Sequence, residues 1–284
     1  MAAFTVMPMS KEVSLKAGEV YSGSISVSNP ADADSDFDYQ IVVSPYSVVD
    51  EYYTADFVSE SDWSKIVDWI KVEEPTGTIA PNGTKEIKYT ISVPADAPAG
   101  GQYAVLGVRA NPKEGSEGVT VNNVFEMASI IYGRVEGETR HEGEILTNSI
   151  PGFVTNGAPM VSATLSNSGN VHEVANVTLS VKNAFTGESL FPVGDDVNVF
   201  SEIVMPGSTR YATRNLNTVP MLGVFEVTQD ISYIGTNSEE LVHNVRTMIV
   251  CPLWFLFLLM LTVGAFIGAI AALIHKHRKS RRVI

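Results

Sequence analysis

Polar and apolar residues alternate along most of the chain. The runs YSGSISVS (Tyr21–Ser28), DYQIVVS (Asp38–Ser44), KEIKYTISV (Lys85–Val93) and YAVLGVRA (Tyr103–Ala110) are rich in Val, Ile, Tyr and Thr. Successive side chains of a strand point to opposite faces, so this period predicts strands with one face in a core and one in water. Gly, Pro, Asn and Asp punctuate the runs, as turns require. The pattern changes near the C-terminus, where Thr247–Ile274 holds 28 residues without a charge. At 1.5 Å per residue such a helix is about 42 Å long, more than the ~30 Å of a bilayer core, and a transmembrane helix is expected over 247–274.

The strand pattern occurs twice. SISVSN, ending at Asn29, is followed ten residues later by YQIVV from Tyr39, and SATLSN, ending at Asn167, is followed ten residues later by VTLSV from Val177. APNGT (Ala80–Thr84) then precedes Val93–Pro94 and GQYAV, as MPGST (Met205–Thr209) precedes Val219–Pro220 and GVFEV. Asn29 and Pro81 are 52 positions apart, Asn167 and Pro206 only 39, so the first copy carries about 13 extra residues. An all-β protein is expected: two tandem Ig-like β-sandwiches over 1–138 and 139–246, followed by a single C-terminal transmembrane α-helix. The first sandwich is decorated near 46–72.

That decoration contains Tyr52, Tyr53, Phe57, Trp63 and Trp69. Trp63, Ile66, Val67 and Ile70 fall at helical spacing behind Ser61 or Asp62, which predicts a short amphipathic helix. The preferred reading has it cover an open edge of the sandwich with its indoles buried. The functional reading makes the five aromatics a face for a glycan or a protein.

Charge orients the molecule. Lys276, Arg278, Lys279, Arg281 and Arg282 crowd into the tail, 275–284, leaving 14 basic residues against all 32 acidic ones before it, a formal charge of −18. Basic flanks stay in the cytoplasm, so the tail is expected inside and the sandwiches outside the cell membrane. The export signal is expected to have been removed, since the first residues have neither a basic start nor a long apolar stretch. So acidic an exterior excludes nucleic acid as a partner. The lone cysteine, Cys251, excludes a disulfide within the sandwiches and reads as an apolar residue of the membrane helix. Gly264, Gly268 and Ala272 form a stripe on which another helix, including a second copy, would pack closely, although glycine is common in such helices.

Candidate chemistry is sparse. No phosphate-binding glycine loop, GxSxG or HExxH occurs, so neither catalysis nor a cofactor is expected. His141, His172 and His243 lack metal-ligand spacing and read as surface or loop residues. Asp32, Asp34, Asp36 and Asp38 alternate in a way that would offer oxygens to Ca²⁺, but Phe37 and Val43 stand where an EF-hand loop needs Gly and Glu, and a solvated loop is preferred.

The openings FTVMPMSKEVSLKAGEVYSGSISVSNP and VPADAPAGGQYAVLGV, then LSNSGNVHEVANVTLSV and IVMPGSTR, then one helix and a basic tail, together resemble the WxL-interacting protein family of bacterial cell surfaces. The resemblance implies a non-catalytic envelope protein whose first domain is similar to a peptidoglycan-binding module and whose second engages partner surfaces. The expected function is binding of wall polymer or another surface protein, for adhesion or envelope scaffolding. The alternative is a structural or assembly subunit of a larger membrane complex.

Overall fold

The computed structural model describes residues 4–33, 35–112, 125–190, 199–235 and 239–280. The first sandwich comprises β1 (Thr5–Met7), β2 (Ser10–Leu15), β3 (Val20–Ser28), β4 (Phe37–Pro45), β5 (Ser47–Val48), β6 (Ala55–Asp56), β7 (Ile70–Val72), β8 (Thr76–Ile79), β9 (Thr84–Ser92), β10 (Gly100–Pro112) and β11 (Phe125–Val135). One sheet has the order β1-β3-β9-β7, the other β2-β11-β10-β4-β8, and β5 and β6 form a separate hairpin. The second sandwich comprises β12 (Gly143–Ser149), β13 (Phe153–Val154), β14 (Met160–Asn167), β15 (Glu173–Asn183), β16 (Val199–Val204), β17 (Ser208–Asn215), β18 (Gly223–Ile234) and β19 (Glu239–Val250). Its sheets have the orders β12-β14-β17 and β13-β19-β18-β15-β16. The chain is therefore all-β and Ig-like, with one apolar helix, α1 (Leu253–Ser280), at the end.

Alternation builds both cores. In β9, Ile87, Tyr89 and Ile91 point inward, and in β18 Phe225, Val227, Ile231 and Tyr233 do the same. Burial in its core pushes the Tyr89 hydroxyl up to about 12. The two sandwiches repeat an unusual detail at their entry. The chain crosses from one sheet to the other between β1 and β2, and again between β12 and β13, so that β2 runs parallel to β11 and β13 parallel to β19.

The internal repeat has a physical origin. Asn29 and Asn167 are both buried. The Asn29 amide donates to the carbonyls of Ser35 and Ile79, each at 3.1 Å. The Asn167 amide donates to those of Val171 (2.7 Å) and Val204 (2.9 Å). Each asparagine thus closes its loop and ties it to the strand across the sandwich, satisfying carbonyls that water does not reach. The following turns match as well. Asn82 and Gly207 each follow a proline with φ of 60° and 69°, and the next amide bonds back to Ala80 or Met205. Proline before a left-handed residue is the signature of a type II turn.

Two sequence expectations change. Residues 63–70 are not an α-helix: Lys65–Trp69 forms a 3₁₀ turn, Ser64 makes no side-chain cap, and Ile70 already pairs with Ile91 in the sheet. Instead of a serine or aspartate cap, Gln102 reaches across to accept the Ile66 N–H at 3.2 Å. The uncharged C-terminal run also divides. Thr247–Val250 is the end of β19, with Met248 and Val250 buried, and α1 begins only at Leu253. A window that counts charges does not distinguish alternating strand from helix. Cys251 accordingly lies before the helix, buried, its N–H donating to the Val154 carbonyl at 2.8 Å.

Candidate functional site

The junction between the sandwiches concentrates the polar and aromatic groups that the cores do not use. It grows from three consecutive residues of β10. The Gly101 N–H donates to the Asn170 carbonyl of the second sandwich at 2.7 Å. Gln102 holds the insertion, its Nε2 donating to the Asp62 carbonyl at 3.0 Å. Tyr103 does both: its N–H donates to the Trp63 carbonyl (2.6 Å), and its hydroxyl accepts the His172 N–H (2.8 Å). Gly100 has φ of +119° and a Cβ there would lie 2.6 Å from the Asn170 carbonyl oxygen, so the close approach requires glycine.

The insertion completes the junction. Tyr53 accepts the Met205 N–H and pairs with the Ser208 hydroxyl, both at 2.7 Å. The Arg210 guanidinium lies 4.2 Å over the Tyr53 ring and also pairs with Glu202. The Tyr211 N–H donates to the Glu51 carbonyl at 2.7 Å. Tyr103, Tyr132 and Met205 are buried together, with Tyr46, Tyr53, Trp63 and Ile203 packed around them. This small apolar core spans both sandwiches. Cation–π contact and satisfied hydroxyls make it directional as well as hydrophobic.

Beside it lies a cleft of about 640 Å³ whose lining includes Glu12, Arg134, His141, His172 and Glu173. His172 is buried, contrary to its reading as a surface histidine, with Nδ1 3.2 Å from the Tyr103 hydroxyl and Nε2 3.7 Å from Glu12. The Glu12 carboxylate faces Nε2 and favours the neutral imidazole's proton there, which leaves Nδ1 to accept from the Tyr103 hydroxyl. Burial holds the His172 pKa below its ordinary value; Glu12 opposes that and Arg134 reinforces it. Burial pushes the Glu173 carboxyl up, against the pull of His141 at 2.6 Å. The polar groups of the cleft are thus largely paired with one another, and their chemistry is that of a brace.

The five aromatics of the insertion are not brought into one face. Trp69 packs on the first core, and Tyr53 and Trp63 on the junction core. Tyr52 and Phe57 are exposed, as are Val49 and Val58 of the same β5–β6 hairpin, Val49 and Tyr52 in its turn and Phe57 and Val58 just beyond β6. Tyr52 meets Tyr211 edge-on at 5.8 Å, and Phe57 stacks on Tyr46 at 6.1 Å. Among the acidic loop residues, Asp38 accepts from the Thr78 hydroxyl at 2.5 Å, Asp32 is exposed, and Asp34 is outside the described residues. No group of three or more metal-capable side chains occurs among the described residues. Gly264, Gly268 and Ala272 lie exposed on α1. Lys276, Arg278 and Lys279 are on its last turns, and Arg281 and Arg282 lie outside the described residues.

The junction was invisible to sequence reading because its partners are far apart, Tyr103 and His172 by 69 positions and Tyr53 and Met205 by 152. The available signal was GQY inside the repeat: the second copy has GVF at the equivalent place, so the polar residues of the first copy do something other than fill a core.

No family model and no curated protein matches the chain. Solved structures of similar fold include the E. coli chaperone DraB, 11% identical over 85% of this chain and 97% of that one, with a TM-score of 0.41. A chain of the Salmonella enterica SafA pilin–SafB chaperone complex is 15% identical over 88% and 97%, at 0.40. A chain of the Acinetobacter baumannii CsuC–CsuE chaperone–tip subunit complex is 16% identical over 85% and 98%, at 0.40. The likeness is one of fold.

Proposed function

We propose that the protein is a non-catalytic bacterial surface protein, held by α1 in the cell membrane with its sandwiches outside and its basic tail inside, that binds wall polymer or another surface protein. Membership of the WxL-interacting proteins is part of this proposal. The observation that carries it is the junction: its buried tyrosines, His172 and Arg210 are occupied in joining two sandwiches into one stiff unit. Such a unit, two residues from the first turn of α1, is suited to presenting a binding face at a fixed height. Leu253–His275 spans 23 residues of mean hydropathy 2.6, about 35 Å of helix, long enough to cross a bilayer.

The exposed hairpin carrying Val49, Tyr52, Phe57 and Val58 is the proposed contact face, because apolar side chains held in solvent on a rigid support favour association. The test is capture of the detergent-solubilised chain on isolated peptidoglycan sacculi and, separately, on solubilised surface proteins. Tyr52→Ala with Phe57→Ala should abolish capture on one of them while the chain stays folded, the lost ring contacts with Tyr211 and Tyr46 costing no more than about 1–3 kcal/mol. Undiminished capture on both by the double variant would remove the hairpin from the proposal; no capture by the wild-type chain on either would end the binding reading.

A further inference from the structure

Resting on the membrane reading above, we propose a second attachment to the bilayer: the end of the second sandwich that adjoins α1 is seated in the interfacial layer of the outer leaflet. Topology brings the ends of six strands together here. β13 and β19 both run toward it, with Phe153 opposite Ile249 and Val154 opposite Val250. β18 starts there, Gly223 opposite Val250, and β15 ends there, the Ala184 N–H donating to the Val224 carbonyl. β14 starts and β17 ends there, Met160 opposite Asn215, and the Leu216 N–H donates to the Pro159 carbonyl.

These segments carry an exposed apolar surface. Phe185 is 83% and Met221 72% exposed, and Phe153, Met160, Leu222 and Ile249 are exposed beside them. None of 147–162, 183–187 or 215–225 contains a charged residue, in an exterior whose formal charge is −18. The first charges met along these strands, Lys182, Glu188, Arg214, Glu226 and Arg246, border this surface. A large apolar patch with a polar border marks a contact surface.

Its occupant follows from where α1 begins. Val250 and Leu253 are three Cα steps apart, at most about 11 Å, and Cys251 is bonded to Val154 between them. The patch therefore cannot stand off from the membrane that α1 enters. Each interfacial layer is roughly 5–8 Å deep, and aromatic and aliphatic side chains settle there at the headgroup boundary. A bilayer already adjacent satisfies this surface without a second molecule being recruited.

The test uses the full chain in phosphatidylcholine–phosphatidylglycerol vesicles, with Cys251→Ser and one environment-sensitive fluorophore attached through Phe185→Cys, Met221→Cys, Ser201→Cys or Ala265→Cys. Headgroup- and chain-nitroxide lipids serve as quenchers. Positions 185 and 221 should be quenched several-fold more than position 201 on the sandwich wall, headgroup lipids acting more strongly, while position 265 responds to the chain quencher. If 265 is quenched and 185 and 221 behave like 201, the second attachment is refuted and the membrane helix stands. If 265 is also unquenched, the membrane reading itself falls. A blue-shifted but unquenched label at 185 identifies a protein cover, such as a second copy, and likewise overturns the proposal.

Discussion

Tyr103→Phe isolates the hydroxyl that joins the sandwiches. Tyr103 is 0% exposed, and its ring meets Tyr132 and His172 at centroid distances of 5.9 and 5.6 Å, contacts that phenylalanine preserves. What is lost is an acceptor 2.8 Å from the His172 N–H and a donor to Nδ1 at 3.2 Å. A buried donor left without a partner costs about 1–3 kcal/mol, more than the ~1 kcal/mol net worth of the bond, because the folded protein offers that N–H no water in exchange. We expect a loss of about 2 kcal/mol, falling on the junction rather than on either core. Urea unfolding of the full chain in detergent reads this directly. Trp63 and Trp69 report on the first sandwich and its junction, while far-UV ellipticity reports on both. The wild type should unfold in one coincident transition, and the variant should separate into two, since weakening the junction releases one sandwich from the other. A change below about 0.5 kcal/mol with transitions still coincident would refute the reasoning, since that is the size expected of a surface substitution.

Further predictions concern the repeat, the cleft and the helix. Asn167→Asp replaces the donors to Val171 and Val204 with acceptors, and Asn29→Asp does the same to Ser35 and Ile79; each should cost roughly 2–4 kcal/mol for two unpaired buried carbonyls, measured by urea midpoint, with Asn→Ala variants showing a loss of similar sign. Because burial depresses the His172 pKa, the unfolded chain gains a proton that the folded chain refuses as pH falls below the ordinary 6.5, so its contribution to stability is complete above that pH and is lost beneath it. Glu173, raised, works in the opposite direction above its ordinary 4.5, where rising pH costs the folded state. Between pH 7.5 and 5.5 the wild type should therefore lose stability relative to His172→Gln, and parallel melting curves would contradict the assignment. Gly100→Ala should be destabilising by about 1 kcal/mol or more from its φ of +119° alone, and melting without such a loss would contradict the positive φ at this position. Gly264→Leu with Gly268→Leu tests close packing on α1: loss of dimer or of a co-purifying membrane protein in mild detergent would favour the complex-subunit alternative, and an unchanged mass would leave that alternative without support.

The sequence by itself determined the sandwiches, their duplication and the apolar terminal helix, because each is written in local periodicity. A strand with one buried face must alternate, as β9 and β18 do, and two loops closed by the same buried amide must repeat the same asparagine, as at Asn29 and Asn167. It misplaced the start of α1, because Met248 and Val250 are apolar for the sake of the sandwich and not of a membrane. The 3₁₀ turn at Lys65–Trp69 likewise replaced a helix because pairing of Ile70 with Ile91 and the reach of Gln102 from another strand outweigh a helical spacing of only four positions over eight residues. What only the tertiary structure decided is the use of the aromatics. Tyr53, Trp63 and Trp69 are packed and Tyr52 and Phe57 are exposed, although composition treats all five alike. The same holds for His172, which burial between Tyr103 and Tyr132 turns from a loop residue into a buried part of the brace. These outcomes depend on which surfaces meet when two separately patterned units dock, and a pattern local to either unit carries no record of that meeting.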